Sequence, residues 1–313
     1  MRFAMVFPGQ GSQSIGMLAA LGAEFPEVTH TFKEASEALG FDLWDVCQNG
    51  PEDKLNTTQV TQPAMLTAGV AVWRVWCKLG GSTAAVMAGH SLGEYSALVC
   101  ANGIDFPDAV GVVADRARFM QDAVPIGVGA VAAILGLDDG GVRSACEQGA
   151  EGEVVRAVNF NAPGQVVIAG HKGAVERTID KAKAAGAKRA MLLPLSVPVH
   201  SPLMEPAAER FRETLANATF RVPEVPVLSN VGIAPYEDVE TIRANLAAQL
   251  HSPVPWTDTM RKIVELDIGV VIESGPGKVL TGLNKRIERS LTGVCAFDDA
   301  TLKTALEASG HGD

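Results

Sequence analysis

The sequence predicts an α/β fold in which a short parallel sheet is interrupted by a smaller insert of different topology. Residues 1–124 alternate short apolar runs with helical patterns, as parallel sheets do. The order of predicted elements changes between residues 125 and 197, and the first pattern resumes from residue 198 onward. We therefore expect a large subdomain made of residues 1–124 and 198–313, and an inserted small subdomain made of residues 125–197.

The predicted strands of the large subdomain are short and apolar, and helical patterns separate them. The helix that begins at Leu92 should end at Asn102 and Gly103, which favour the backbone of a helix C-terminus. The last dozen residues, with His311 among them, are expected to form a frayed tail. The strands are Phe3–Phe7, Ala84–Ala88, Val225–Ser229 and Val270–Glu273, and the helices are Glu24–Leu39, Gln62–Leu79, Leu92–Ala101 and one that follows Gly277.

The insert has its own order of elements, β-α-β-β-α-β. This order is the ferredoxin-like supersecondary pattern, so the small subdomain is predicted to be ferredoxin-like. Its predicted strands are Ala130–Leu137, Glu153–Phe160, Gln165–Ala169 and Arg189–Leu195, and its helices are Asp139–Gly149 and Gly173–Ala185.

Composition limits the functions that are open to this chain. Of its 313 residues, 36 are acidic and 26 are Lys or Arg, which gives a formal net charge of −10. A negative field repels nucleic acid, and the basic residues form no stripe with interleaved aromatic side chains. We therefore exclude nucleic-acid binding.

Cysteine spacing and hydropathy predict a soluble, cytoplasmic protein without a metal site. The five cysteines form no CxxC pair and no Cys/His cluster with zinc spacing, which is typical of free thiols in a reducing compartment. The apolar N-terminal stretch stops at Pro8 and Gly9 and is too short for a signal-peptide core. No run approaches the roughly 20 apolar residues that span a bilayer, so no membrane association is expected.

The segment from Gly89 to Gly93 matches the motif G-x-S-x-G, with an apolar strand before it and a helix after it. In this context the glycines permit a sharp turn that presents Ser91 at the edge of a hydrolase-like sheet. The amide of Leu92 then lies at a helix N-terminus and faces an oxyanion formed at the attacked carbonyl. The alternative is an ordinary turn in which Ser91 only caps the helix. The strand and helix favour Ser91 as a nucleophile.

A serine nucleophile needs a base within hydrogen-bonding distance, and the two candidates among the histidines are His200 and His251. His90 adjoins Ser91, but its side chain should point away on such a turn. His200 follows a predicted strand on a proline-constrained loop, which is where α/β folds place catalytic groups. The pattern favours His200, and His251 stays the alternative.

Six segments in chain order then match one family. They are Phe7–Gln13, Gly89–Ala97, Asp115–Gln121, Asn159–Gln165, His200–Met204 and Glu273–Leu280. From Met1 to about residue 305, the chain resembles the malonyl-CoA:acyl carrier protein transacylases of dissociated bacterial fatty acid synthesis. Six segments in the same order identify a family far more specifically than any one of them does. The resemblance therefore makes His200 a much stronger candidate for the base than His251.

The resemblance implies a catalytic dyad without an obligatory carboxylate. In it, Ser91 is the nucleophile and His200 is the base. A backbone carbonyl near Gln249 orients the histidine in place of an aspartate. The backbone amide of Gln10, in the glutamine-rich first loop, joins that of Leu92 in the oxyanion hole.

Arg116 is the residue that the resemblance assigns to the acyl group. Malonyl carries a free carboxylate, which a planar guanidinium can hold with two hydrogen bonds and a lysine cannot. The alternative is a surface arginine on an amphipathic helix, as we expect for Arg118. Val199 stands where the family often has a small polar or aromatic residue, so tolerance for methylmalonyl is left open. Asn161 and Gln249 complete the predicted substrate-binding set.

The implied partners are malonyl-CoA and acyl carrier protein, with no cofactor and no metal ion, and a monomer is the default. Carrier protein is acidic, so a local basic patch has to overcome the negative charge of this chain. Two patches are candidates, one at the end of the insert and one on the late helix. They consist of Lys181, Lys183, Lys188 and Arg189 in the first and of Lys285, Arg286 and Arg289 in the second.

Two other functions are compatible with parts of this pattern. A serine esterase or thioesterase would use the same Ser91–His200 pair, and Asp138 or Asp180 could supply the acid of its triad. A non-catalytic carrier-binding module would have no use for a nucleophile, a base and a guanidinium together. Dinucleotide binding is excluded because Ser14 stands where G-x-G-x-x-G requires its third glycine.

Overall fold

The computed structural model of the protein describes residues 2–195 and 197–310, and within them it contains nine strands and fourteen α-helices. The strands are β1 (Phe3–Phe7), β2 (Val86–Gly89), β3 (Gly129–Leu135), β4 (Val155–Ala162), β5 (Gln165–His171), β6 (Arg189–Leu192), β7 (Val227–Leu228), β8 (Val270–Ser274) and β9 (Thr292–Ala296). The helices are α1 (Ala19–Glu24), α2 (Pro26–Leu39), α3 (Leu43–Asn49), α4 (Glu52–Leu55), α5 (Thr58–Lys78), α6 (Gly93–Cys100), α7 (Phe106–Asp122), α8 (Asp139–Ala150), α9 (Lys172–Ala184), α10 (Glu205–Asn217), α11 (Val239–Gln249), α12 (Trp256–Glu265), α13 (Val279–Ile287) and α14 (Asp299–Ala308).

The larger sheet is parallel, with the strand order β7-β2-β1-β8-β9. Its central strand β1 is buried along its whole length and serves two cores, because alternate side chains of a strand point to opposite faces. Phe3, Met5 and Phe7 pack with α5 and its neighbours, whereas Ala4 and Val6 pack with α12 and α13. The predicted parallel α/β sheet is therefore confirmed.

The smaller sheet is antiparallel, with the strand order β4-β5-β3-β6. Its elements follow one another as β3-α8-β4-β5-α9-β6, so the ferredoxin-like pattern is confirmed as well. Ala132, Ile134 and Ile168 point to α8 and α9 and form a separate core. The opposite face carries Val131 and Ala169, which are buried with Val158 in a second, small cluster. The boundaries of the two subdomains stay a prediction.

Helix α5 is the longest element, with 21 residues, and it is buried over most of its length between α2, α6 and α7. It approaches α6 closely, since a Cβ added to Gly69 would lie 3.2 Å from the Oγ of Ser96. Through this packing, α5 carries the polar side chain of Gln62 into the interior. In the described part of the chain, no helix has both the length and the apolar character needed to cross a membrane.

Three of the predicted elements that differ from the structure do so for a clear physical reason. The helix predicted at 24–39 is two helices, because Phe25 is extended and Pro26 begins a new helix at its first position. The strand predicted at 189–195 ends at Leu192, shortly before Pro194. The frayed tail is wrong up to Ala308, because α14 packs with buried Leu302 on the core. His311 lies outside the described residues.

Candidate active site

The turn between β2 and α6 is a sharp elbow with Ser91 at its tip. Ser91 has φ 52°, in the left-handed region that residues other than glycine rarely adopt. The elbow packs directly on β1, because a Cβ added to Gly93 would lie 2.0 Å from the carbonyl oxygen of Phe7. Only glycine fits at this position, so the last glycine of G-x-S-x-G is what lets the elbow lie against the sheet.

Ser91 and His200 are brought together across 109 residues of sequence. The Oγ of Ser91 lies 2.7 Å from the Nε2 of His200, and the Nδ1 of His200 lies 2.8 Å from the backbone carbonyl oxygen of Gln249. A carbonyl oxygen can only accept, so Nδ1 carries the proton and Nε2 accepts from the serine hydroxyl. The alternative base, His251, is not among the residues that line the cavity around Ser91.

The imidazole of His200 is neutral in the resting site. Burial and, secondly, the positive charge of Arg116 lower the pKa of His200 to about 3, although the hydrogen bond to the carbonyl of Gln249 acts in the opposite direction. The side chain is therefore in its proton-accepting form at any pH near neutrality, which is the state a general base requires.

Arg116, on α7, is buried and is held by two neutral amide groups. Its Nη1 donates to the Oε1 of Gln62 at 2.7 Å, and its Nη2 donates to the Oε1 of Gln249 at 2.8 Å and to the Oγ of Ser91 at 3.3 Å. The guanidinium also lies over the ring of Tyr95. Within the described residues it makes no ion pair, so its charge is available to an anion beside Ser91.

Two backbone amides are available on the other side of Ser91. Leu92 begins α6, and the loop after β1 brings Gln10 to the same cavity. The loop lies against the elbow because Gly9 has no side chain: a Cβ there would be 2.6 Å from the carbonyl oxygen of His90. In the described structure, neither the amide of Leu92 nor that of Gln10 donates a hydrogen bond to another residue. Both can therefore face an oxyanion.

The cavity at Ser91 has a volume of 190 Å³ and lies between the two sheets. Predicted residues Val199 and Asn161 line it, and so does His90, whose Nε2 lies 2.8 Å from the Oδ1 of Asn161. Gln249 lies behind the cavity wall, where its backbone and side chain hold the base and the guanidinium. Further lining residues come from α7 and the small sheet: Met120, Val131, Asn159, Val167, Leu193 and Leu195.

Sequence analysis missed several of these residues, although two signals pointed to them. Leu193 and Leu195 continue the alternation that places Arg189 and Met191 on one face of the small sheet. This period of two could have predicted that both leucines lie on the face that lines the cavity. Gln62 directly precedes the mostly apolar stretch 63–72 of α5, and a long polar side chain beside such a stretch indicates a specific partner.

The four basic residues proposed for carrier binding are exposed, and two of them, Arg189 and Arg286, meet at one row of the small sheet. Arg189 and Gln165 both pair with Leu135, one from each side, so the three lie in one row across the sheet. The guanidinium of Arg286 donates to the Oε1 of Gln165, which brings α13 to the same row. With strands about 4.8 Å apart, Arg189 lies about 10 Å from Gln165. The predicted basic residues are Lys188, Arg189, Lys285 and Arg286.

A buried carboxyl group lies directly behind Ser91 and Gln249. Glu94 is 1% exposed, and it accepts hydrogen bonds from the hydroxyl of Tyr236 and the Nε2 of Gln249, both at 2.5 Å, and from the backbone amide of Asn230 at 3.3 Å. Burial raises the pKa of Glu94 to about 7, despite these donors and the charge of Arg116, which lower it.

This raised pKa predicts a change of stability with pH. In the unfolded chain Glu94 loses its proton near its ordinary value of 4.5, whereas the folded protein retains it up to about 7. The folded state therefore binds the extra proton between these values, so the free energy of unfolding should fall by roughly 3 kcal/mol as pH rises through this interval. Urea unfolding of the wild type and of Glu94→Gln across this range isolates the effect. A difference between the two proteins that does not vary with pH would contradict it.

The fold and this site are those of an acyl transferase. Residues 4–301 match the acyl transferase domain family, and the chain belongs to that family. Within it, the most similar curated relatives carry one name. The malonyl CoA-acyl carrier protein transacylase of Salmonella typhimurium is 56% identical over 305 residues, covering 97% of this chain and 99% of that protein. The protein of the same name from Bacillus subtilis is 42% identical over 307 residues, covering 98% and 96%.

Solved structures agree with the sequence relatives. A malonyl-transacylase in complex with a type II PKS acyl-carrier protein superposes with a TM-score of 0.97 at 54% identity, covering 98% of this chain and all of that one. An acyl carrier protein S-malonyltransferase from Vibrio cholerae has a TM-score of 0.95 at 53% identity, covering 97% of this chain and all of that one. The family expected from the six matching segments is therefore confirmed.

Proposed function

We propose that this protein moves malonyl from coenzyme A to the phosphopantetheine thiol of acyl carrier protein, through an ester on Ser91, and so supplies fatty acid synthesis. One observation carries the proposal. The Oγ of Ser91 is within hydrogen-bonding distance of both a neutral imidazole, at 2.7 Å, and a buried guanidinium, at 3.3 Å. The first arrangement activates a hydroxyl, and the second holds a carboxylate next to it.

In the first half-reaction, the Oγ of Ser91 forms a bond to the carbonyl carbon of the malonyl thioester while its proton passes to the Nε2 of His200. The amides of Gln10 and Leu92 stabilise the resulting oxyanion. When the carbon–sulfur bond breaks, the coenzyme A sulfur takes the proton from His200. The carbonyl of Gln249 keeps the other nitrogen of the imidazole protonated throughout, which is the orienting role that an aspartate has in a serine triad.

The second half-reaction repeats these steps with a different thiol. The phosphopantetheine thiol of the carrier protein gives its proton to His200 and attacks the Ser91 ester. The same two amides stabilise the second oxyanion, and Ser91 recovers its proton as the ester bond breaks. These steps use the side chains and amides of the chain and the two substrates, and they call for no bound cofactor.

Arg116 supplies the preference for malonyl over a neutral acyl group. Burial makes the pairing of its charge with a carboxylate strong, because little water competes in the cavity. Gln62 and Gln249 fix two of its nitrogens and so preset the direction of the guanidinium. Val199 lines the same cavity and leaves tolerance for methylmalonyl open.

The position of the acids favours the transferase over a hydrolase with a full triad. Asp138 caps α8 by accepting from the amide of Gly141, and Asp180 is an exposed residue beside Lys183. The Nδ1 of His200 faces a carbonyl rather than either acid. The esterase alternative therefore lacks the carboxylate partner that its triad requires.

We further propose that the carrier protein docks at the row formed by Arg189, Gln165 and Arg286. By the alternation of side chains, Arg189 and Gln165 share the face of the small sheet that carries Val131 and so points to the cavity. An acidic carrier would meet positive charge at the entrance to the site. Cytoplasmic location and a monomeric state stay predictions.

Reversing the charge of Arg189 or Arg286 should raise the KM for acyl carrier protein roughly tenfold and leave the KM for malonyl-CoA unchanged. Steady-state kinetics with each substrate varied in turn measure both constants. Lys303→Glu makes the same change of net charge on α14, where Lys303 pairs with Asp299, and should alter neither. Unchanged carrier kinetics in both arginine variants would remove this surface from the proposal.

Intact-mass analysis tests the function itself. Mixing with malonyl-CoA should add one malonyl group, which Ser91→Ala abolishes. Addition of carrier protein should remove the group quickly, whereas water should remove it slowly. Rapid loss to water would favour the hydrolase, and the absence of an adduct would favour a non-catalytic carrier-binding module.

A further inference from the structure

The side chain of Asn230 spans the elbow that presents Ser91. Asn230 is 2% exposed and follows β7 by two residues. Its Oδ1 accepts from the backbone amide of Ser91 at 2.9 Å, and its Nδ2 donates to the backbone carbonyl of Gly89 at 2.7 Å. One amide group thus joins the residue before the elbow to the residue at its tip.

These two backbone groups need a partner that neither neighbouring element supplies. The parallel ladder between β2 and β7 ends where Ala88 pairs with Leu228, and α6 begins only at Gly93. Between these points the chain turns through the left-handed conformation of Ser91. The side chain of Asn230 therefore continues the ladder beyond the last residue of β7, in place of a further strand residue.

Asn230 is itself firmly held. Its backbone amide donates to the Oε1 of Glu94, which also accepts from the hydroxyl of Tyr236. The preceding residue, Ser229, is fixed by the amide of Gly232 at 2.9 Å and by the Nδ2 of Asn245 at 3.3 Å. These contacts fix the position of Asn230, and its side-chain amide can therefore hold the elbow in one conformation.

We propose that Asn230 is a positioning residue, which holds the strained backbone of Ser91 so that its Oγ meets the Nε2 of His200. The inference rests on Ser91 being the nucleophile, as the proposed function has it. Within the described residues, Asn230 makes no hydrogen bond to Arg116 and is not among those that line the cavity, so it acts on the geometry of the nucleophile and not on the recognition of malonyl.

Asn230→Ala should slow the formation of the Ser91 ester by about 100-fold, the loss that a displacement of about 1 Å produces. Because the effect lies in the nucleophile, the loss should be equal for malonyl-CoA and acetyl-CoA. Inactivation by a fluorophosphonate, which reports serine reactivity without any thioester, should slow by a similar factor. Rapid-quench intact-mass measurements give all three rates.

Two controls separate positioning from loss of structure. The dissociation constant of malonyl-CoA should agree within about twofold between Ser91→Ala and the double variant Ser91→Ala/Asn230→Ala. Asn245→Ala removes a hydrogen bond to the same loop without touching the elbow, and it should acylate within about twofold of the wild type. Asn230→Asp keeps the volume and the acceptor for Ser91 but places a carboxylate oxygen, instead of a donor, against the carbonyl oxygen of Gly89, and it should slow acylation as well.

Acylation of Asn230→Ala at the wild-type rate would overturn the proposal, and so would a loss matched by an equal loss of malonyl-CoA binding in the double variant. If Asn230→Ala does not fold, Asn230→Asp decides by the same three rates, with wild-type acylation overturning the proposal. Failure of the proposed function would give a different result, because the wild type would then form no malonyl ester. The rates of inactivation of the wild type and Asn230→Ala by the fluorophosphonate would still test the role of Asn230.

Discussion

Arg116→Ala is expected to lower malonyl transfer by about 150- to 5,000-fold and to change acetyl transfer much less. The substitution leaves the malonyl carboxylate without a partner in a buried cavity, which costs on the order of 3–5 kcal/mol. Acetyl has no carboxylate, so the rate of its transfer is lowered only by the weaker effect of repacking around the shortened side chain. The ratio of kcat/KM for the two donors therefore measures the role of the guanidinium and cancels any general loss of active protein.

Arg118→Ala is the matched control, because Arg118 is on the same helix two residues away but is exposed and pairs with Asp115. It should leave the ratio of malonyl to acetyl transfer unchanged. Arg116→Lys should recover only part of the ratio, since an ammonium cannot bond both glutamine oxygens and a carboxylate in one plane. Equal losses for both donors in Arg116→Ala would refute the assignment.

His200→Ala should slow formation of the malonyl ester by about 100- to 10,000-fold, the usual contribution of a positioned general base. The loss should extend to acetyl-CoA, because proton transfer from Ser91 is common to both donors. The rate of appearance of the adduct in intact-mass measurements gives the effect directly, independently of the carrier protein.

His251→Ala provides the comparison for this second prediction. His251 was the alternative base by sequence pattern, and it lies outside the cavity at Ser91. Its variant should acylate within about twofold of the wild type. Loss of acylation in His251→Ala together with full activity in His200→Ala would invert the assignment of the base.

The elbow could be predicted from sequence because its constraints are local. A glycine that contacts β1, an apolar strand and a helix all lie within about ten residues of Ser91. The ferredoxin-like insert was equally visible, since hydrophobic periodicity and turn residues decide its order of elements. The sequence could not predict which segments that are far apart in the chain come into contact in the fold.

The partner of His200 illustrates the limit. Its Nδ1 bonds a backbone carbonyl, and every residue has one, so no side-chain type marks the position. Gln249 entered the prediction only through family resemblance. The amide of Asn230 was missed for a related reason, since one asparagine after a short strand is ordinary until β2 is known to lie beside it.

Other misses had a signal that could have been used. Asp298 and Thr301 form a capping box at the start of α14, so an acid followed three residues later by a threonine marked a helix where a frayed tail was expected. Pro26 likewise marked the beginning of a helix rather than the interior of a longer one.

The register of the small sheet also separates two kinds of selectivity in space. On β3, Leu135 in the row of Arg189 lies four residues beyond Val131, which lines the cavity, and this separation is about 13 Å along the strand. Under the proposed function, the acyl group is selected near Val131 and the carrier protein near Leu135. Substitutions near Val131 should therefore change the selection of the acyl group alone, and substitutions near Leu135 that of the carrier protein alone. The same fold could then accept a new acyl group while it keeps its carrier protein.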